Sequence, residues 1–255
     1  MEDLSGLRFK DRVVVITGAG SGMGRSHALA FAEQGATVVV QDVNAAGAGE
    51  TVSMIENAGG LAQGWVGDIA DVIAVERHLN EVAEALGRID VLVNNAGFVS
   101  PFQTADMNES AFDRMFAVHV KGAFFATRAV IEPMKRVGGG AVVNISSTAG
   151  LVGDTRFPHY CAAKAALLGL TKAWAKEFAA DRIRVNAVAP GGVKTPLSIA
   201  EFGGEENLDR RATEIPLGFY GQPCDVTPLV LFFASEESRY ITGQVVSPNG
   251  GEVIT

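Results

Sequence analysis

The chain has 255 residues, 47% hydrophobic and 20% charged, a composition that builds a large core in a single α/β domain and excludes extensive disorder. Its 21 basic and 29 acidic residues give a net charge of −8, the wrong sign for a nucleic-acid binder that tracks phosphates. The two cysteines, Cys161 and Cys224, are too few for a disulfide framework or a four-ligand zinc site, so no metal is expected. The opening Met1, Glu2, Asp3 lacks the basic stretch of an export signal, and no apolar run reaches the length of a membrane span. A soluble, cytoplasmic protein is therefore expected, with no membrane partner.

The first β-branched run, Val13 to Ile16, predicts a buried strand, and Ala28, Phe31 and Ala32 predict a helix after it. Thr37 to Val40 and Ala62 to Val66 predict the next two strands. Val75, Leu79, Val82 and Leu86 have the spacing of one helix face, and Val91 to Val93 reads as the fourth strand. A second helical stripe comprises Phe112, Phe116, Val120 and Phe124. Strands over Ala141 to Ile145, Arg184 to Val188 and Gly243 to Ser247 make seven. Alternating strands and helices imply right-handed crossovers, hence a doubly wound α/β fold with a seven-stranded parallel sheet. The stretch from Lys194 to Gln222 has weak periodicity and carries Gly203, Gly204, Glu205 and Glu206. It is expected to be a lid beyond the carboxyl ends of the strands, where such folds bind ligands.

Directly after the first strand comes Thr17, Gly18, Ala19, Gly20, Ser21, Gly22, Met23, Gly24. Glycines at a strand-to-helix turn let backbone N–H groups approach a pyrophosphate at the positive helix end. A tight turn without a ligand is the alternative. Asp42 follows the second strand, where a carboxylate can accept hydrogen bonds from the adenine ribose and repel a 2′-phosphate. Neither Ser21 nor Val43 supplies a cation, so the expected cofactor is NAD rather than NADP. Asp42 would otherwise be an ordinary helix N-terminal acid.

With these motifs in order, the sequence resembles the short-chain dehydrogenase/reductase family, a single-domain Rossmann fold, over nearly its whole length. The resemblance rests on Thr17, Gly18, Gly22 and Gly24; Asp68; Asn94 to Gly97; Ser147; Tyr160 and Lys164; and Pro190, Gly191 and Thr195. It implies that Asp68, with Ile69 beside it, contacts the adenine, and that Asn95, Ala96 and Gly97 line the cofactor. It further implies that Val193 and Thr195, after Pro190 and Gly191, hold the nicotinamide carboxamide. A homotetramer is also implied, paired through the segments Ser110 to Val137 and Pro158 to Ala180.

Residue chemistry supports the catalytic assignment. Tyr160 and Lys164 are four apart, one turn along one helix face. A free phenol has a pKa near 10, and a neighbouring ammonium and an oxidised nicotinamide are both expected to favour its ionised form. Tyr160 then exchanges the substrate proton, Lys164 also reaches the nicotinamide ribose, and Ser147 bonds the substrate oxygen. The sequence departs from the family at His119, where asparagine usually supports a water-mediated proton relay. If a backbone carbonyl holds that water, the imidazole can stand there, neutral beside Lys164. Phe219 and Asn249 also depart, from a common arginine and a common aspartate.

The expected reaction interconverts a secondary alcohol and a ketone. Phe98, Phe102, Leu151, Phe157 and Leu197 are candidate walls for a hydrophobic, alicyclic or steroid-like substrate. A 3-oxoacyl-thioester reductase is the alternative, set second because it usually takes NADPH and because no basic cluster is evident in the lid. A catalytically silent nucleotide-sensing scaffold is a third reading, opposed by the presence of Tyr160 and Lys164.

Overall fold

The computed structural model describes residues 7–254; the opening Met1, Glu2, Asp3 lies outside them. Seven strands, β1 (Val13–Thr17), β2 (Thr37–Asp42), β3 (Leu61–Val66), β4 (Val91–Asn94), β5 (Gly140–Ile145), β6 (Ile183–Val188) and β7 (Val245–Val246), form one sheet in the order β3-β2-β1-β4-β5-β6-β7. Every pairing is parallel. Because successive side chains in a strand point to opposite faces, these runs divide into two cores. Val14, Ile16, Val38, Val40 and Val143 face Phe31 of α1 (Gly22–Glu33) and Val230 and Phe233 of α10 (Pro223–Ala234). Val15, Val39, Leu92 and Val142 face Leu79 of α3 (Val72–Leu86), Val130 of α5 (Ala123–Arg136) and Trp174 of α7 (Pro158–Glu177). Each fully buried large apolar side chain contributes about 1.5–3 kcal/mol, so a charge at Val15 would unseat one whole layer.

Chain order reverses at β1, whose neighbours are β2 and β4. In open α/β sheets that switch point opens a crevice at the carboxyl ends of the strands. Here the crevice is bordered by the turn into α1, the start of α2 (Ala45–Asn57) and the loop after β4.

Two expectations about elements need correction. The last strand is the two-residue β7 rather than Gly243 to Ser247, since Gly243 has φ +72°, a left-handed conformation incompatible with a continuing strand. The stripe of Phe112, Phe116, Val120 and Phe124 does not face the sheet. The segment is α4 (Glu109–Phe116), a π-helical turn at Ala117–Gly122, and α5. Met115, Val118, Ala126 and Val130 are buried instead, while Phe112 and Phe124 are 43% and 39% exposed. Residues spaced by four drift about 40° per step around a 3.6-residue helix, and a π turn moves the phase further. Among the described residues no helix is long and apolar enough to cross a membrane.

Candidate active site

The crevice is a cleft of about 480 Å³. Fifteen of the residues selected by sequence line it: Gly18, Ser21, Gly22, Met23 and Gly24 from the glycine turn; Asp42, Asp68 and Ile69; Asn95, Ala96 and Gly97; His119; Tyr160 and Lys164; and Thr195.

The glycine turn is built for close approach. A Cβ on Gly24 would lie 2.1 Å from the Gly18 carbonyl oxygen, and Gly18 and Gly22 hold φ at +65° and +53°. Asn95 donates from Nδ2 to the Thr17 and Gly18 carbonyls at 2.9 and 3.0 Å, fixing the turn against β4. Ser21, the N-cap of α1, makes no side-chain cap bond, and the first turn holds no acid. The leading N–H groups of α1 therefore face the cleft without a side-chain acceptor, an arrangement that suits a pyrophosphate. At the end of β2, Asp42 accepts from the Gly20 N–H at 2.8 Å and from the Asn44 N–H at 2.9 Å. These bonds hold the carboxylate at the cleft wall, beside the uncharged Val43. Arg25, on the same turn, is turned away to the Gly20 carbonyl and the Glu50 carboxylate.

Gln41 and Arg114 are polar lining residues that escaped the sequence reading. Gln41 accepts from the Gly18 N–H at 3.1 Å and donates to the Gly67 carbonyl at 2.7 Å, clamping the turn to the loop after β3. Its signal was a polar side chain inside an otherwise apolar strand. Arg114 of α4 pairs with Asp68 at 2.7 Å. Burial pushes the Asp68 carboxyl up, but Arg114 and the Ala70 N–H outweigh it and leave the group below its ordinary value.

At the deep end, α7 carries Tyr160 and Lys164 on one face. Lys164 is 4% exposed; its Nζ donates to the Ile145 carbonyl at 2.8 Å and sits 5.6 Å from the Tyr160 ring centre. Burial lowers its pKa to about 7. Without the nicotinamide the phenol is not depressed: burial raises Tyr160 to about 12, and the Ser147 hydroxyl beside it offsets only part of this. Lys164 directs its proton to the Ile145 carbonyl at 2.8 Å rather than to the phenol, so burial governs Tyr160.

His119 sits in the π turn, 2% exposed. Its Nε2 lies 2.9 Å from the carbonyl oxygen and 3.1 Å from the backbone nitrogen of Phe98. Burial first, then the Lys164 charge, hold the imidazole well below its ordinary pKa, so it is neutral. Gly97 makes room for it, since a Cβ there would fall 2.3 Å from the His119 Cε1.

Ser147, Pro190, Gly191 and Val193 are not on the wall of the cleft. Ser147 accepts from the Ala149 N–H at 3.1 Å, at the start of α6 (Ala149–Val152). The Pro190 carbonyl accepts from the Thr148 N–H at 3.0 Å, Gly191 packs on Asn249, and Val193 bridges to Gly221. These residues shape the loop that presents Thr195. The Thr195 hydroxyl accepts from the Ser198 N–H at 3.1 Å and so caps α8 (Pro196–Glu201).

Of the candidate substrate walls, Phe98 and Leu197 line the cleft. Phe157 packs edge-on to Tyr160 with ring centres 6.3 Å apart, and Phe102 packs on His159. Phe102, Leu151 and Phe157 do not reach the cleft wall.

Two basic side chains do meet beside the lid, which itself supplies one of them. Arg211 of α9 (Glu205–Arg211) and Arg156, from the loop before α7, both lie 4.7 Å from the Phe202 ring centre. Arg156 also covers Phe157 at 4.5 Å and pairs with Asp154. Arg156 lies outside residues 194–222, so only the folded chain brings the two guanidinium groups together.

Comparison with known proteins identifies the family. A family model described as enoyl-(acyl carrier protein) reductase matches residues 18–252. A 3-oxoacyl-[acyl-carrier-protein] reductase of Thermotoga maritima is 40% identical over 248 residues, covering 97% of this chain and all of that protein. A (3R)-3-hydroxyacyl-CoA dehydrogenase of Rattus norvegicus is 36% identical over 97% of this chain and 98% of its own. A solved structure from Beutenbergia cavernae with NADP bound at low occupancy superposes with a TM-score of 0.91 at 33% identity, covering 96% of this chain and 98% of that one. The chain belongs to the short-chain dehydrogenase/reductase family, oxidoreductases that act on CH–OH groups.

Proposed function

We propose that this enzyme uses NAD to interconvert a secondary alcohol and a ketone. The observation that carries the reading is one cleft holding the Asp42 carboxylate near the glycine turn and Tyr160 with Lys164 at the other end. The leading N–H groups of α1 receive the pyrophosphate, and Asp42 accepts from the ribose hydroxyls while opposing a 2′-phosphate. Bound NAD supplies the hydride acceptor. Tyr160 exchanges the substrate hydroxyl proton at its phenol oxygen, giving up its own proton to the amine of Lys164, whose pKa of about 7 lets it take that proton up and return it, and Ser147 donates to the substrate oxygen. His119 positions the loop that carries Phe98. Phe98 and Leu197 give the substrate an apolar wall, which suits an alicyclic or steroid-like alcohol. Residues 194–222 act as the lid.

The Arg156–Phe202–Arg211 cluster favours a second substrate reading, an acyl thioester whose phosphates the guanidinium groups receive, in line with the names of the two curated relatives. Initial rates of NAD and NADP reduction with alicyclic secondary alcohols and a (3R)-3-hydroxyacyl-CoA test both. Turnover with NAD and an alcohol is expected. A tenfold higher kcat/KM for the thioester selects the second reading, and no reduction with any substrate overturns the proposal.

A further inference from the structure

A second cavity, of about 690 Å³, lies at the amino ends of β4, β5 and β6, across the sheet from the cofactor cleft. We propose that it is a binding site for a small molecule bearing a diphosphate group. Five arginines line it, Arg8, Arg12, Arg182, Arg184 and Arg239, against two carboxylates, Asp90 and Glu236. The lining is thus formally +3 in a chain whose net charge is −8. Such a concentration of charge attracts anions even though the whole protein repels them.

The two carboxylates do not neutralise this set. Asp90 is shared between Arg12 at 2.8 Å and Arg88 at 2.6 Å. Arg8 meets Glu237 at 3.7 Å and donates from Nε to Gln34 Oε1 at 3.4 Å. Arg182 and Arg239 have no side-chain hydrogen bond or ion pair among the described residues. Arg184 is the fixed point of the site. Its Nη1 donates to the Phe233 carbonyl at 2.8 Å and Ser238 Oγ at 2.7 Å, and its Nη2 to the Ser235 carbonyl at 2.9 Å. These acceptors are neutral, no carboxylate lies within ion-pair distance among the described residues, and Nε–H with one Nη2–H remains for a bidentate oxyanion. Glu236 acts on Arg184 only from beyond ion-pair distance, and burial outweighs it; a partly buried guanidinium so weakly countered is costly, and an anion in the cavity relieves that cost.

Planar guanidinium forks match phosphate oxygens. Several arginines around one open cavity fit a group with more charge than the roughly −1.5 to −2 of a single phosphate ester. The cavity size is that of a small-molecule site, and the fully exposed Tyr240 at its rim offers a ring to an organic tail.

Calorimetric titration with inorganic pyrophosphate, on protein saturated with NADH so that the cofactor cleft is filled, tests the site. Saturable binding of one pyrophosphate per chain is expected, weakening with salt. It should fall at least tenfold in the double variant Arg182→Gln/Arg239→Gln, with NADH affinity unchanged. Both residues are exposed, so the variant keeps its fold. The absence of saturable binding to the wild type, or equal affinity in the double variant, would overturn the proposal.

Discussion

The imidazole Nε2 of His119 faces both the N–H and the C=O of Phe98, at 3.1 and 2.9 Å. One nitrogen satisfies only one of them at a time, and the tautomer decides which. A carboxamide carries a donor and an acceptor and would satisfy both. His119→Asn is therefore expected to keep turnover within about tenfold and to raise the melting temperature or leave it unchanged. His119→Leu also removes the partner of the Phe98 group that the imidazole does satisfy, a loss of about 1–3 kcal/mol. It is expected to melt earlier and to raise KM more than it lowers kcat. A thousandfold loss of turnover in His119→Asn would show the imidazole to be an essential proton carrier instead.

Tyr160→Phe removes one hydroxyl from a well-packed ring. Its melting temperature and cofactor affinity should stay near wild type while turnover falls by about 10² to 10⁴. Lys164→Ala is expected to lower both turnover and cofactor affinity. A Tyr160→Phe enzyme retaining more than about a tenth of the activity would remove Tyr160 from the proton-transfer role.

His27 and Lys164 are two buried bases that contribute to the pH dependence of stability in the ligand-free protein. Burial lowers His27 from 6.5 to about 3, so it stays neutral in the fold, while the unfolded chain takes up a proton below pH 6.5. Its contribution is present above that pH and is lost progressively down to about 3. Burial lowers Lys164 from 10.5 to about 7. Between those values the unfolded chain binds more protons than the folded one, so this contribution rises with pH. Urea midpoints should fall from pH 6.5 to 5 and rise from pH 7 to 9, and Lys164→Met should lose the alkaline rise. A variant that keeps the full rise would assign it to other groups.

Much of the fold was legible because each central strand is a β-branched run bounded by turn residues, and because Leu79, Val82 and Phe31 have helical spacing. The glycine turn and the Tyr160–Lys164 pair were legible for the same reason: their chemistry lies within one or two turns of chain. What was not legible depends on tertiary contact. Arg114 meets Asp68 across 46 residues, and Arg156 meets Arg211 only through Phe202. The phenylalanine stripe was misassigned because the π turn at Ala117–Gly122 has no marker in the residue pattern.

That same stripe yields a prediction about assembly. Phe112 stacks on Phe116 and Phe124 packs on Trp174, yet Phe112 and Phe124 keep 43% and 39% of their surface exposed. An apolar patch of this kind marks an interaction face, and we expect a homotetramer paired through α5 and α7. Light scattering at micromolar concentration should give four times the 26.7 kDa chain mass, and Phe124→Glu should dissociate it. A monomeric wild type would contradict this.

Cofactor choice tests the account most directly, because it reads the position of a single carboxylate. Asp42 is fixed by the Gly20 and Asn44 N–H groups at the cleft wall, and a like-charge contact there costs several kcal/mol. The decisive measurement is a parallel fluorescence titration of NADH and NADPH into the wild type and Asp42→Ala. The account predicts that the wild type binds NADH at least about a hundredfold more tightly and that Asp42→Ala loses most of this preference. Equal affinity of the wild type for both nucleotides, or an unchanged preference in Asp42→Ala, would contradict it.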